Sequence, residues 1–408
     1  MKRFGLTVVG ALAMLANGCG GGGGSSHADS AEMQTAQAAR GNSLIAQGRH
    51  IFRFATFGDE AKWTDALRMH EVIAAAVDPT TALSVGLKVD ADALPQALKD
   101  GIVDGSVDLK SPATTLVLLE LDAVVGLKGR VDMDNGVAKL KRVGVTCALC
   151  HSTVDNAFAP GIGKRLDGWP NRDLNVGAII ALSPALSASE KAVFNSWGPG
   201  MYDPRYNIDG LNKPVVIPPA YGLAGIHKIT FTGDGNAIAY WNRYVAVTQM
   251  GGLGSFSDPR LPLSVTNGRV DLVSDKLPAL QAYQLSLAAP AAPSGSFDTD
   301  AAARGKLVFE GKGQCASCHT GARFTDANTM LHPPGDSVVE PEAPSYASRS
   351  ATKMYRTSPL KGLWQHAPYF HDGSAATLED VGIAYNTKRA LGLTPQEIAD
   401  LAQYLKSL

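Results

Sequence analysis

The chain has 408 residues, with 37 Lys and Arg against 38 Asp and Glu, so its formal net charge is −1. That balance leaves no basic stripe for a phosphate backbone, and no nucleic-acid partner is expected. The length allows two or three domains with substantial cores.

At the start, Met1-Lys2-Arg3 followed by an apolar run from Phe4 to Ala16 has the form of a secretory signal, too short for a membrane span. Asn17-Gly18-Cys19, with five glycines and Ser25-Ser26 after it, resembles a bacterial lipoprotein signal with Ala16 where Leu is usual. The expectation is a signal over residues 1–18, a lipid anchor at Cys19 and a flexible tether over 19–47. The protein would then sit on a membrane in the periplasm or cell envelope. Simple signal cleavage is the alternative. Ala31 to Gln47 reads as disordered or a loose helix.

Order is expected from Gly48, where Phe52, Phe54, Phe57 and Trp63 cluster. Apolar positions from Asp59 through Ala76 predict one helix ending before Asp78-Pro79, with His70 packed or on the surface. Ser111-Pro112 opens a second helix to Leu119. Val124 to Val131 and Val137 to Val145 flank Asn135-Gly136 and predict a hairpin that leads to Cys147. Residues 48–140 form an N-terminal helical extension.

Cys147-Ala148-Leu149-Cys150-His151 is a Cys-x-x-Cys-His motif, repeated as Cys315-Ala316-Ser317-Cys318-His319. In an exported protein this motif attaches c-type haem: two thiols form thioethers with the vinyl groups and the His ligates iron. A zinc ribbon would space its pairs by about 15 to 20 residues, far less than here, and a thiol redox pair needs no adjacent His. Two covalently bound haems are therefore expected. The five cysteines are then fully used, as one anchor and two haem pairs, with none left for disulfides.

Between the motifs, Pro160 to Asp173, Pro199 to Pro219 and Gly233 to Gly254 have the composition of loops that wrap a cofactor. Trp169, Trp197, Tyr202, Tyr206, Tyr221, Trp241 and Tyr244 lie in or beside them, as core filling against a porphyrin or as electron relays. Ala288 to Ser296 reads as a linker between a first haem domain, 141–289, and a second, 290–408. Asp298 caps a helix over Ala301 to Glu310. Thr394-Pro395-Gln396-Glu397 is a capping box opening a terminal helix that presents Ile398, Leu401, Ala402 and Leu405 on one face. The predicted fold is mainly α: two cytochrome c-like domains with long loops, one short hairpin and the helical extension.

Thr357-Ser358-Pro359-Leu360-Lys361-Gly362 and the stretch from His366-Ala367-Pro368-Tyr369-Phe370-His371-Asp372-Gly373 to Asp380 closely resemble the C-terminal domain of bacterial di-haem cytochrome c peroxidases and MauG-like enzymes. With the two motifs, the resemblance runs from about Val143 to the end. Some di-haem proteins related to rubber oxygenases also carry extra N-terminal structure.

The resemblance implies an oxidoreductase in which His319 holds an electron-entry haem and His151 the haem that meets peroxide or oxygen. It implies a small redox protein, a cytochrome c or a cupredoxin, as electron partner. The sixth ligand of the second haem would be Tyr385, with Met354, His366 and His371 as competitors. Thr357, Pro359 and Asn175 would hold a calcium ion between the haems, unless Thr-x-Pro is a plain turn. The family's proton-moving carboxylate lies on a Trp-Asp-Gly-Arg-like segment followed by Leu-Glu-Glu-Gln, where this chain has Phe231-Thr232-Gly233-Asp234-Gly235-Asn236 leading to Ala239-Tyr240-Trp241-Asn242, and by that comparison the acid is missing. Its distal His is replaced by Asp167 in Asp167-Gly168-Trp169. Asp167 would take over proton transfer, or cap a turn; Trp169 and Trp241 are candidate catalytic relays. A non-enzymatic electron carrier and a rubber-oxygenase-like dioxygenase are the alternative functions.

Overall fold

In a computed structural model the chain is described over residues 25–339 and 344–408, with side chains from residue 37. The expected signal, lipid anchor and first part of the tether lie outside these residues. The fold is mainly helical, and among the described residues the strands pair only as two-stranded sheets. Among the described residues no helix is long and apolar enough to cross a membrane.

The first helix, Ser25–Phe54, takes the helical one of the two alternatives for Ala31 to Gln47, in place of a flexible tether. Its Ala, Gln, Met and Arg content favours helix strongly enough to carry the polar stretch. The single helix expected over 59–76 is instead two elements. A π-helical turn, Ala61–Ala66, is followed by a break at Arg68 (φ 55°) and a helix over Met69–Ala76. Two side chains fix the wide turn from outside it. Thr64 Oγ1 donates to Val143 O and accepts from Val143 N, both at 2.9 Å, and Trp63 Nε1 donates to Met250 O at 3.0 Å. Such bonds to distant chain override the local apolar spacing.

The hairpin pairs Leu127–Asp134 with Val137–Val145, turning at Asn135 (φ 50°) and Gly136 (φ 80°) as Asn-Gly requires. Leu140, Val143 and Val145 are buried on its inner side. Gly126, at φ +83°, precedes it, and a Cβ there would lie 2.1 Å from the Leu149 Cα. Only glycine lets the hairpin base press directly on the first Cys-x-x-Cys-His segment.

From Leu44 to Leu408 the chain is one compact unit containing two main apolar cores. The larger includes Ile51, Phe52, Leu119, Leu174, Val247 and Leu280. Residues 48–140 thus have no core of their own; they complete that of the first haem segment. The smaller core joins Val308, Phe309, Leu363, Leu378, Leu401 and Leu405. Here helix Thr299–Glu310 meets helix Pro395–Ser407 so closely that a Cβ on Gly305 would lie 2.0 Å from Asp400 O. Residues 288–298 carry no helix or strand. The halves are docked by Arg349, which reaches Asp203 and Asp209 at 3.0 and 2.7 Å, and by Val216 N donating to His371 O.

Candidate haem sites

At the first motif the hairpin runs into a short helix, Ala148–His151. Asn171 N donates to Cys150 O and Gly168 N to His151 O, so the downstream loop is pinned to the motif's backbone. The His151 Nδ1 lies 3.1 Å from Pro218 O. At the second motif, a 3₁₀ turn over Cys315–Ser317, the His319 Nδ1 lies 3.0 Å from Phe324 O. In both, a backbone carbonyl on Nδ1 selects the tautomer whose Nε2 lone pair can bind iron. Burial lowers the pKa of both imidazoles, that of His151 to about 4, which keeps them neutral as ligands must be.

Cys315, Cys318 and His319 line a cavity of about 300 Å³ whose walls include Phe309, Leu363, Leu378, Leu401 and Leu405. Two thiols, an adjacent neutral imidazole and an apolar wall fit c-type haem. Two buried guanidiniums that also line it, Arg172 and Arg356, carry nitrogens without an acceptor and fit the anionic edge of such a group.

Tyr385, His366 and His371 line this cavity, and Met354 is not among its lining residues. Burial, followed by the neighbouring Cys315 thiol, pushes the Tyr385 hydroxyl up to about 12. His371 is 8% exposed and is held by Tyr355, whose hydroxyl lies 3.3 Å from its Nε2. The His366 backbone carbonyl accepts from Arg172 Nη2 at 2.8 Å. Thr357 and Pro359 line the cavity too, but Asn175 does not: its Oδ1 accepts from Ala178 N and caps helix Val176–Ala181.

Asp167 is tied into the fold by several parts of the chain. It ends the strand Arg165–Asp167 rather than capping a turn. Its carboxylate, 3% exposed, accepts from Arg53 Nε and Tyr283 OH at 2.6 Å and from Ser152 Oγ at 2.8 Å. Two donors meet Oδ2 and one meets Oδ1, an arrangement that holds the carboxylate as a buried ion pair between three parts of the chain. The Phe231–Asn236 segment is likewise committed, since Asp234 pairs with the buried Arg205 and accepts from Ala351 N. Trp169 meets Trp364 edge to face, whereas Trp241 stacks on Tyr244 at 4.7 Å.

Two residues near the motifs escaped the sequence. Asp59, fully buried, accepts from Val145 N at 3.2 Å and lies near enough to Cys147 to act on its thiol electrostatically. Arg172 belongs to the first half of the chain yet lines the second motif's cavity. No local pattern marks either; an Asp and an Arg in polar surroundings read as surface residues.

A family model described as "RoxA-like, cytochrome c-like" matches residues 354–385. The gamma subunit of hydrazine synthase from Kuenenia stuttgartiensis is 31% identical over 33% of this chain and 49% of its own length. The methylamine utilization protein MauG of Methylorubrum extorquens is 37% identical over 20% of this chain and 23% of its own. The chain thus spans half or less of the length of these curated relatives. A solved chain of K. stuttgartiensis hydrazine synthase, pressurized with xenon, aligns over 53% of this chain and 78% of its own at 21% identity, with a TM-score of 0.36. What the chain shares with known proteins is a cytochrome c-like segment and partial similarity to these two relatives. The similarity to the RoxA-like cytochrome c family is thus confined to the terminal segment that follows the second attachment motif.

Proposed function

We propose that the protein is a lipid-anchored, periplasmic di-haem oxidoreductase in which electrons enter at the second motif and peroxide or oxygen reacts at the first. The observation that carries this reading is the repeated histidine arrangement, with Nδ1 of His151 and His319 each on a backbone carbonyl. When bound, haem supplies the redox centre at each motif. The chain's own part is to hold and insulate it. Cys147, Cys150, Cys315 and Cys318 attach it, and Tyr385 is the sixth ligand offered at the second cavity. Ser317 is exposed beside Cys318, which leaves that edge open to a cytochrome c or cupredoxin as electron donor.

A second reading, an oxygenase that cleaves an apolar substrate, rests on the surroundings of the first motif. Tyr202 feels the Cys150 thiol and lies in an edge-to-face cluster with Trp197, which also contacts Phe194 and Tyr206. Asp167, the acid expected there, is already paired.

Electron paramagnetic resonance of the purified protein tests the proposal. One high-spin iron that binds cyanide or peroxide is expected. Two low-spin irons that refuse both would leave an electron carrier instead. If one iron is high-spin, peroxide turnover with a reduced cytochrome, compared with oxygen uptake on an apolar polymer, separates peroxidase from oxygenase. Cys19→Ser should release the protein from the membrane fraction; unchanged partition would remove the anchor from this reading.

A further inference from the structure

We propose that Arg172 and Arg356 hold the propionates of the second haem, so that a residue from the first half of the chain completes the second half's cofactor site. The inference rests on the reading that Cys315 and Cys318 carry haem.

Both guanidiniums line the cavity that the second motif opens into. Arg172 Nη2 donates to His366 O at 2.8 Å, while its Nε and Nη1 are buried without an acceptor. Arg356 Nη1 donates to Lys228 O at 2.9 Å, and its Nε is buried without one. Among the described residues neither has a carboxylate partner. Burial depresses both, to about 10, and the groups that oppose this at Arg172 are the phenols of Tyr221 and Tyr369.

A buried guanidinium with unmatched donors is costly unless an anion sits against it. Elsewhere in this fold buried arginines do have their acid: Arg205 has Asp234, Arg165 has Asp90 and Arg349 has Asp203. The two exceptions share one cavity, and that cavity is where a dicarboxylate would be delivered. Haem carries its vinyl groups on one edge and its propionates on the opposite one. Cys315 and Cys318 claim the vinyl edge, which leaves the propionates to be met by donors elsewhere in the wall. The planar fork of arginine matches a carboxylate with two parallel N–H donors.

Arg172 has a further consequence. It follows the loop pinned to Cys150 and His151 through Asn171 N and Gly168 N. A propionate of the second haem held by Arg172 would therefore be tied to the backbone of the first haem's motif. Loading of the second site would lock the two halves together.

The test is spectropotentiometry of the holoprotein with Arg172→Gln, Arg356→Gln and the two Lys variants. Removing a cation beside the second haem disfavours its ferrous form. In each Gln variant the ferrous-to-ferric ratio of that haem at fixed poise is expected to fall about tenfold, equivalent to 59 mV for one electron, with the first haem unmoved. The Lys variants should restore most of that ratio while shifting the propionate bending band in resonance Raman spectra, because the charge returns without the fork. Should the Gln variants not fold, the Raman band of the Lys variants decides. An unmoved band and unmoved ratios would overturn the proposal, as would a shift confined to the first haem. Haem staining and intact mass keep the two readings apart: no haem on Cys315 and Cys318 defeats the proposed function, whereas haem attached with unaltered ratios defeats only this assignment.

Discussion

Trp169 and Trp364 meet edge to face, with ring centroids 5.6 Å apart and planes at 85°. Trp169 follows Gly168, whose N–H donates to the His151 carbonyl; Trp364 lies next to Leu363 in the second core, with its Nε1 on Pro290 O at 3.3 Å. The contact therefore bridges the segment that carries one iron ligand and the core that surrounds the other. Trp241, stacked on Tyr244 within the first half, makes no such bridge. If the pair relays electrons, Trp364→Phe should slow reduction of the first haem through the second by about tenfold, some 1.4 kcal/mol on the barrier. Stopped-flow reduction measures this. An unchanged rate with unchanged potentials would mean that electrons cross by another route.

Asp167 should behave as a structural residue. Its side chain is 3% exposed and that of Arg53 is 26%, so Asp167→Asn leaves a largely buried guanidinium without its counter-charge and weakens the bonds from Tyr283 and Ser152. The expected loss is about 3 kcal/mol, read as a lower urea midpoint at unchanged slope. Arg53→Ala should cost less when added to Asp167→Asn than alone, because the pair is already broken. Lost peroxide reactivity at unaltered stability would instead return Asp167 to proton transfer.

Features written in contiguous residues were legible. Asn135-Gly136 forms the hairpin turn, Asp298 accepts from Asp300 N and Ala301 N, and Thr394 with Glu397 closes a full capping box. Each depends on bonds spanning a few residues, so sequence spacing carries the information. The ion pair of Asp167 was not legible because its partners Arg53 and Tyr283 lie 114 and 116 residues away. The turn at Ala61–Ala66 was missed for the same reason: its shape is imposed by Val143 and Met250. The histidine tautomers were also invisible. Pro218 O, which fixes that of His151, is 67 residues downstream.

Asp59 should give the protein an unusual pH dependence. Burial, with Glu60 adding, raises its carboxyl from an ordinary 3.8 to about 9, against the opposing Val145 N–H and Lys62. The folded state thus keeps the proton over a range where the unfolded chain has lost it. From about pH 5 to 8 Asp59 makes the unfolded state bind one proton fewer, a contribution to stability that falls by up to about 1.4 kcal/mol per unit as pH rises, while the buried neutral His151 and His319 contribute the opposite slope below about pH 6.5. Above about pH 8 the slope should flatten, because burial lowers Lys62 to about 8 and the unfolded lysine holds its proton longer. Asp59→Asn keeps an acceptor for Val145 N without the ionisable group, so the stability of the wild type should fall relative to that of the variant from about pH 5 to 8. Urea denaturation at three pH values in that range decides the matter; parallel curves for wild type and variant would show that Asp59 ionises in the folded protein.

The second cavity makes a separate prediction about its sixth ligand. Tyr385 lies on helix Leu378–Arg389, in the wall shared with His319, and the Cys315 and Cys318 thiols both act on it electrostatically. His371 is engaged by Tyr355, and His366 presents its backbone carbonyl to Arg172. Tyr385→Phe keeps the ring and its 6.2 Å contact with Phe370 while removing the only atom that can bind iron. One haem should then change from a six-coordinate spectrum to a high-spin, five-coordinate one that binds cyanide. Its potential should rise, because a phenolate ligand favours ferric iron. His366→Ala and His371→Ala should leave the coordination unchanged. A change of spin state in either histidine variant, with Tyr385→Phe silent, would transfer the ligand role to that histidine.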